Sequence, residues 1–114
     1  MKRAVIVHGW GGSPEEGWFP WLRKELEARD FEVTVPQLPE AETPRIGKWV
    51  PTLAVAVGAV DENTYLVGHS MGCQTIARYL EGLDESIHVG GAVYVAGFFD
   101  SLTLGEDEEE KVGV

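Results

Sequence analysis

Thr64-Tyr65-Leu66-Val67-Gly68-His69-Ser70-Met71-Gly72-Cys73-Gln74-Thr75-Ile76 is the stretch whose reading decides the fold. Residues 64–67 read as a short buried strand. Residues 71–83 read as a helix, because Ile76, Ala77, Leu80 and Leu83 fall on one face. Gly82 near its end suits a left-handed cap. Between strand and helix, Gly68-His69-Ser70-Met71-Gly72 matches G-x-S-x-G. That pattern is short and carries little by itself. Its setting, a strand before and a helix after, is the one a nucleophile elbow requires. A side chain at Gly68 or Gly72 would collide with a neighbouring strand or helix in so tight a turn. Ser70 is then the candidate nucleophile, strained and exposed at the carboxyl edge of the sheet. The backbone N–H of Met71 points to the same space from a helix N-terminus, where negative charge is favoured.

Working outward, residues 4–7 form another apolar strand, followed by His8-Gly9-Trp10-Gly11-Gly12-Ser13-Pro14. This loop leaves the first strand at the same edge as Ser70. Acyl transfer through a serine needs a second N–H donor for the tetrahedral oxyanion. Removing one such donor typically costs about 10²–10³ in rate. The N–H of Trp10 is the candidate, with His8, Gly9, Gly11 and Gly12 forming the oxyanion loop. A dinucleotide fingerprint is excluded because Pro14 stands where the third glycine would fall. No Lys-Ser/Thr pair follows, so the loop is not a P-loop either.

Ser13 and Glu16, with Pro14 between them, resemble a capping box. Pro20 disfavours helical dihedrals at Phe19, so a short turn is expected before a helix over 20–29, with Leu22 and Leu26 inward. Residues 31–35 read as the second strand, and 37–45 as a proline-rich loop. Residues 46–59 carry a helical pattern interrupted at Pro51, and 89–96 a fourth, continuously apolar strand. This β-α-β-α-β-α-β alternation predicts an α/β fold: one three-layer domain over 1–114 with a parallel sheet.

Bulk properties narrow the function. The net charge is −10, much of it in the run 106–110, which reads as a solvated tail or loop. Nucleic-acid binding needs a basic footprint, so no nucleic-acid partner is expected. Cys73 is the one cysteine and reads as a small buried residue, so nothing calls for an oxidising compartment. The apolar run at the N-terminus is too short for a signal peptide or a membrane span, and a cytoplasmic location is expected with no membrane partner. No Cys/His spacing suggests a metal. Trp18, Trp21 and Trp49 read as core or rim packing, and Phe98 and Phe99 either line an acyl pocket or cap the core.

Taken together, residues 5–14, Val35-Pro36-Gln37-Leu38-Pro39, Trp49 and residues 65–72 resemble the small YdeN-like serine hydrolases, relatives of retinoblastoma-binding protein 9. The resemblance spans Val5 to about Phe99. It implies an α/β-hydrolase fold, esterase-like activity on small ester substrates, no cofactor, and a strand order of 2-1-3-4. In that family the acid and the histidine follow the serine, in the order Ser, Asp, His. Here no histidine follows His88, so neither can be carried over, and the chain reads as the N-terminal part of such a hydrolase. His88 falls at the amino edge of the sheet, and His69 serves the elbow's own packing. His8 is the nearest local substitute for the base, although structural support suits it better. Asp100 lies on the correct edge, yet an acid without a histidine does not activate serine. Two readings stand: a serine hydrolase, or a catalytically incomplete hydrolase-fold module for binding or interaction. The fourth strand would be a bare apolar edge, so the chain alone is expected to be poorly soluble or to associate with itself through that edge.

Overall fold

The computed structural model describes residues 1–96 together with the backbone of 102–103 and 111–112. Phe98, Phe99, Asp100 and the acidic run 106–110 lie outside the described residues. Strands β1 (Arg3–Val7), β2 (Glu32–Thr34), β3 (Thr64–His69) and β4 (Gly91–Val95) form a parallel sheet in the order β2-β1-β3-β4. Helices α1 (Phe19–Glu27), α2 (Ile46–Val57) and α3 (Met71–Glu81) connect them in turn. Two short strands, β5 (Leu102–Thr103) and β6 (Lys111–Val112), pair antiparallel. Among the described residues no helix is long and apolar enough to cross a membrane.

Alternation along β1 divides the core. Ile6 points to one face and packs with Phe19 and Val33, flanked by Leu22 and Leu26 of α1. Val5 and Val7 point to the other face, into a larger cluster with Trp49 and Leu53 of α2 and Met71, Ile76 and Tyr79 of α3. Side chains alternate across a strand, so the helices fall on opposite faces and the three layers follow.

Several local expectations are corrected. Phe19 is helical despite Pro20, because proline is tolerated in a first turn, where its missing N–H has no intrahelical partner. Ser13 and Glu16 form no capping box: the Glu16 N–H donates to the Ser13 carbonyl at 3.3 Å, and α1 begins behind Trp18 with no side-chain cap. Helix α2 runs on through Pro51. An interior proline costs about 3 kcal/mol. Burial of Trp49, Leu53 and Val57 at about 1.5–3 kcal/mol per apolar side chain offsets it, and Pro51 itself faces outward. Gly82 takes φ −83°, not a left-handed conformation, so α3 ends in a right-handed turn. Strand β4 is shorter than expected: Gly90 bonds to Thr64 O ahead of it, and a β-carbon there would lie 2.4 Å from Glu62 O. Its last three residues, Val93, Tyr94 and Val95, are exposed.

Candidate active site

The register sets the site. Val7 of β1 lies opposite Gly68 of β3, so His8-Gly9 and His69-Ser70 leave the sheet side by side at its carboxyl edge. On the other side His69 lies opposite Val95, and the Ser70 N–H donates to Val95 O at 2.9 Å. The ladder therefore holds the backbone up to Ser70 itself.

Ser70 has φ +55° and ψ −117°, a region that side-chain-bearing residues rarely enter. Three glycines make that turn possible by letting backbones touch. A β-carbon at Gly68 would lie 2.9 Å from the Cys73 N, and one at Gly72 only 2.2 Å from Val7 O. One at Gly9 would lie 3.0 Å from His69 O and 3.1 Å from Ser70 Cβ. The glycine loop is thus pressed against the elbow, as its sequence suggests.

Two hydrogen bonds fix the outer half of that loop. The Gly11 N–H donates to Ala41 O at 2.6 Å, and the Trp10 indole Nε1 donates to Glu42 O at 2.8 Å. Gly11 takes φ +68°, which favours glycine, and the Gly12 N–H closes a turn onto Gly9 O. Among the described residues no backbone carbonyl accepts the N–H of Trp10. Met71 opens α3, where the first N–H groups have no intrahelical acceptor. Met71 directly follows Ser70, and Trp10 directly follows Gly9, which packs against Ser70.

The histidines separate cleanly. His8 is fully buried. Its Nδ1 lies 2.8 Å from Gly9 O and its Nε2 accepts the Leu38 N–H at 2.9 Å, which assigns the neutral tautomer with the proton on Nδ1. Gln37 Nε2 lies 3.2 Å from the same Nε2, and Trp49 stands edge-on at 5.3 Å, its own Nε1 held by Pro39 O. Burial lowers the imidazole's pKa. With both ring nitrogens engaged, His8 supports the loop and is not free to take a proton from Ser70. The proline loop and Trp49 gain a physical role from this: they grip His8. His69 packs edge-on to Trp18 and Phe19, with centroids 5.6 and 6.1 Å away. His88 sits beside Asn63 at the amino end of the sheet, across the molecule from Ser70.

A cavity of about 340 Å³ opens beside Ser70, walled by Trp10, Trp18, Phe19 and His69. Glu16 also lines it, a site residue that the capping-box reading conceals. Cys73 is buried in the first turn of α3, with its Sγ 3.5 Å from Val95 O, and burial raises its pKa. Trp49 is core, and Trp21 is exposed.

With this geometry in view, the comparisons are consistent. A family model described as serine hydrolase matches residues 4–110. The putative hydrolase YdeN of Bacillus subtilis (strain 168) is 41% identical over 101 residues, covering 89% of this chain and 53% of YdeN. The serine hydrolase RBBP9 of Rattus norvegicus is 32% identical over 114 aligned residues, covering 97% of this chain and 58% of its own. The crystal structure of the B. subtilis ydeN gene product superposes with a TM-score of 0.84 at 40% identity, over 90% of this chain and 55% of that one. The chain thus spans a little over half the length of these relatives.

Proposed function

Because the chain belongs to the serine hydrolase family, we propose that Ser70 is the nucleophile of an esterase-like hydrolase acting on small esters. The observation that carries this reading is the Ser70 backbone, held at φ +55° between β3 and α3 with Gly9 packed against it. Strain of this kind persists where the surroundings over-determine it, and it clusters at functional sites. Attack by Ser70 Oγ on an ester carbonyl would place the oxyanion between the N–H groups of Trp10 and Met71. Neither needs to break a backbone bond to serve, which is the preorganisation that oxyanion stabilisation requires.

Deprotonating Ser70 needs a base. Among the described residues no side chain hydrogen-bonds to the Ser70 hydroxyl, and none of the three histidines is placed to do so. In this chain order the acid and histidine follow the serine. The relatives have nearly half their length outside the matched stretch, and that is where we place both groups. Loss of the histidine alone costs about 10⁶ in kcat, with a residual 10³–10⁴ from binding and the oxyanion hole.

That same observation favours a second reading, a hydrolase-fold module that binds esters without turning them over. Labelling with an alkyl fluorophosphonate separates the two. Slow labelling of the wild type that disappears in Ser70→Ala supports the hydrolase. No labelling at saturating probe, with ester binding retained, supports the module.

A further inference from the structure

Glu16 lines the cavity beside Ser70, and among the described residues no lysine or arginine pairs with its carboxylate. The side chain folds back over Gly12: a β-carbon at Gly12 would lie 2.6 Å from Glu16 Oε1, so the glycine leaves the space the carboxylate occupies. It lies close enough to His8 to act on that ring's charge, but the ring is buried and neutral by its hydrogen bonds. Gly17, at φ +52°, then turns the chain so that Trp18 follows on the same wall. Trp10 also lines the cavity, its indole tied to Glu42 O.

We infer that this cavity is a site for a small organic cation, so that the esters presented to Ser70 carry an ammonium group. The substrate class rests on the hydrolase reading of Ser70, whereas the cation site stands on the cavity alone. An uncompensated carboxylate among aromatic walls decides against the alternatives. Filling the cavity with an alkyl chain would strip water from Glu16 and return no partner, which is costly. An anionic group would meet like charge. An ammonium both neutralises Glu16 and gains from the indole rings, which attract cations over their faces. The net charge of −10 adds a field of the same sign.

The test uses the whole chain and two isosteres, choline and 3,3-dimethylbutan-1-ol, titrated against tryptophan fluorescence. Choline is expected to bind about tenfold more tightly, the sum of one cation–π contact and one partly exposed ion pair. Glu16→Gln is expected to bring the ratio close to one, and Ser70→Ala to leave it unchanged. Glu15→Gln removes the same charge from an exposed neighbour outside the cavity and is expected to preserve the ratio. Equal affinities in the wild type would overturn the proposal, as would an equal loss in Glu15→Gln and Glu16→Gln. Fluorophosphonate labelling reports on Ser70 separately: labelling without choline preference keeps the hydrolase and removes the cation site. Choline preference without labelling does the reverse.

Discussion

The β-carbon that any residue other than glycine would place at position 72 falls 2.2 Å from the carbonyl oxygen of Val7. Helix α3 therefore rests directly on the end of β1, with the His8 carbonyl oxygen a further close neighbour at 2.8 Å. Both obstacles are backbone, so neither yields by a rotamer change. Gly72→Ala is expected to cost at least about 3 kcal/mol, above the usual range for a single small-to-large change. Gly82→Ala is the control. Its nearest contact would be 3.6 Å away and φ there is −83°, so it is expected to be neutral or stabilising by under about 1 kcal/mol. Urea unfolding midpoints of the two variants check this, and similar midpoints would contradict it.

A second consequence concerns Ser70 itself. Holding a serine at φ +55° and ψ −117° costs on the order of 1–3 kcal/mol. Ser70→Gly removes that strain and loses about 0.5–1 kcal/mol of backbone entropy in exchange. We expect Ser70→Gly to be more stable than the wild type by roughly 1 kcal/mol, with Ser70→Ala unchanged because it keeps the β-carbon. Thermal unfolding of the three proteins decides. Equal stability of the glycine and alanine variants would mean that the elbow stores no strain.

The elbow and its strand were legible because they are local: glycines, a serine and two hydrophobic periods lie within a score of residues. The order 2-1-3-4 came from resemblance, since alternation of elements leaves the order of parallel strands open. The role of His8 was hidden by distance. Its partners Gln37, Leu38 and Trp49 lie about 30 to 40 positions away, and only the fold brings them onto the ring. Pro51 misled for a related reason: tertiary burial of the opposite face outweighs local propensity. Glu16 was absorbed by a capping pattern whose hydrogen bonds do not form, and nothing in the local pattern distinguished a cap from a cavity wall.

The buried His8 makes stability depend on pH. Its folded pKa lies below the ordinary value of 6.5, because burial penalises the imidazolium. Above that value both folded and unfolded states hold a neutral ring, and the group adds no pH dependence. Below it the unfolded chain takes up a proton that the folded protein resists, so stability falls as pH drops until the folded pKa is reached. The slope approaches about 1.4 kcal/mol per pH unit at most. Unfolding midpoints measured from pH 7.5 down to 5 are expected to decline, and His8→Gln is expected to flatten that part of the profile while lowering stability throughout. A decline of equal steepness in the variant would assign it to other groups.

Strand β4 stands last in the sheet order β2-β1-β3-β4. Beside it lies a hollow of about 490 Å³, with Val67, Val93 and Val95 as its floor and Trp21, Leu22 and Leu26 of α1 as its wall. Val93 is 56% exposed and Trp21 62%. An exposed apolar hollow beside a terminal strand is a surface that self-association would bury, and a second copy of this chain carries the matching surface by symmetry. Two copies packed about a two-fold axis would bring each Trp21 toward its partner's hollow. Each copy carries a net charge of −10, so repulsion opposes this contact at low salt. Light scattering is therefore expected to show concentration-dependent association that strengthens between low and moderate salt. Val93→Lys is expected to abolish it by placing a charge on the floor of the hollow. A monomer at every concentration and ionic strength, in wild type and variant alike, would show that this surface does not recruit a second copy.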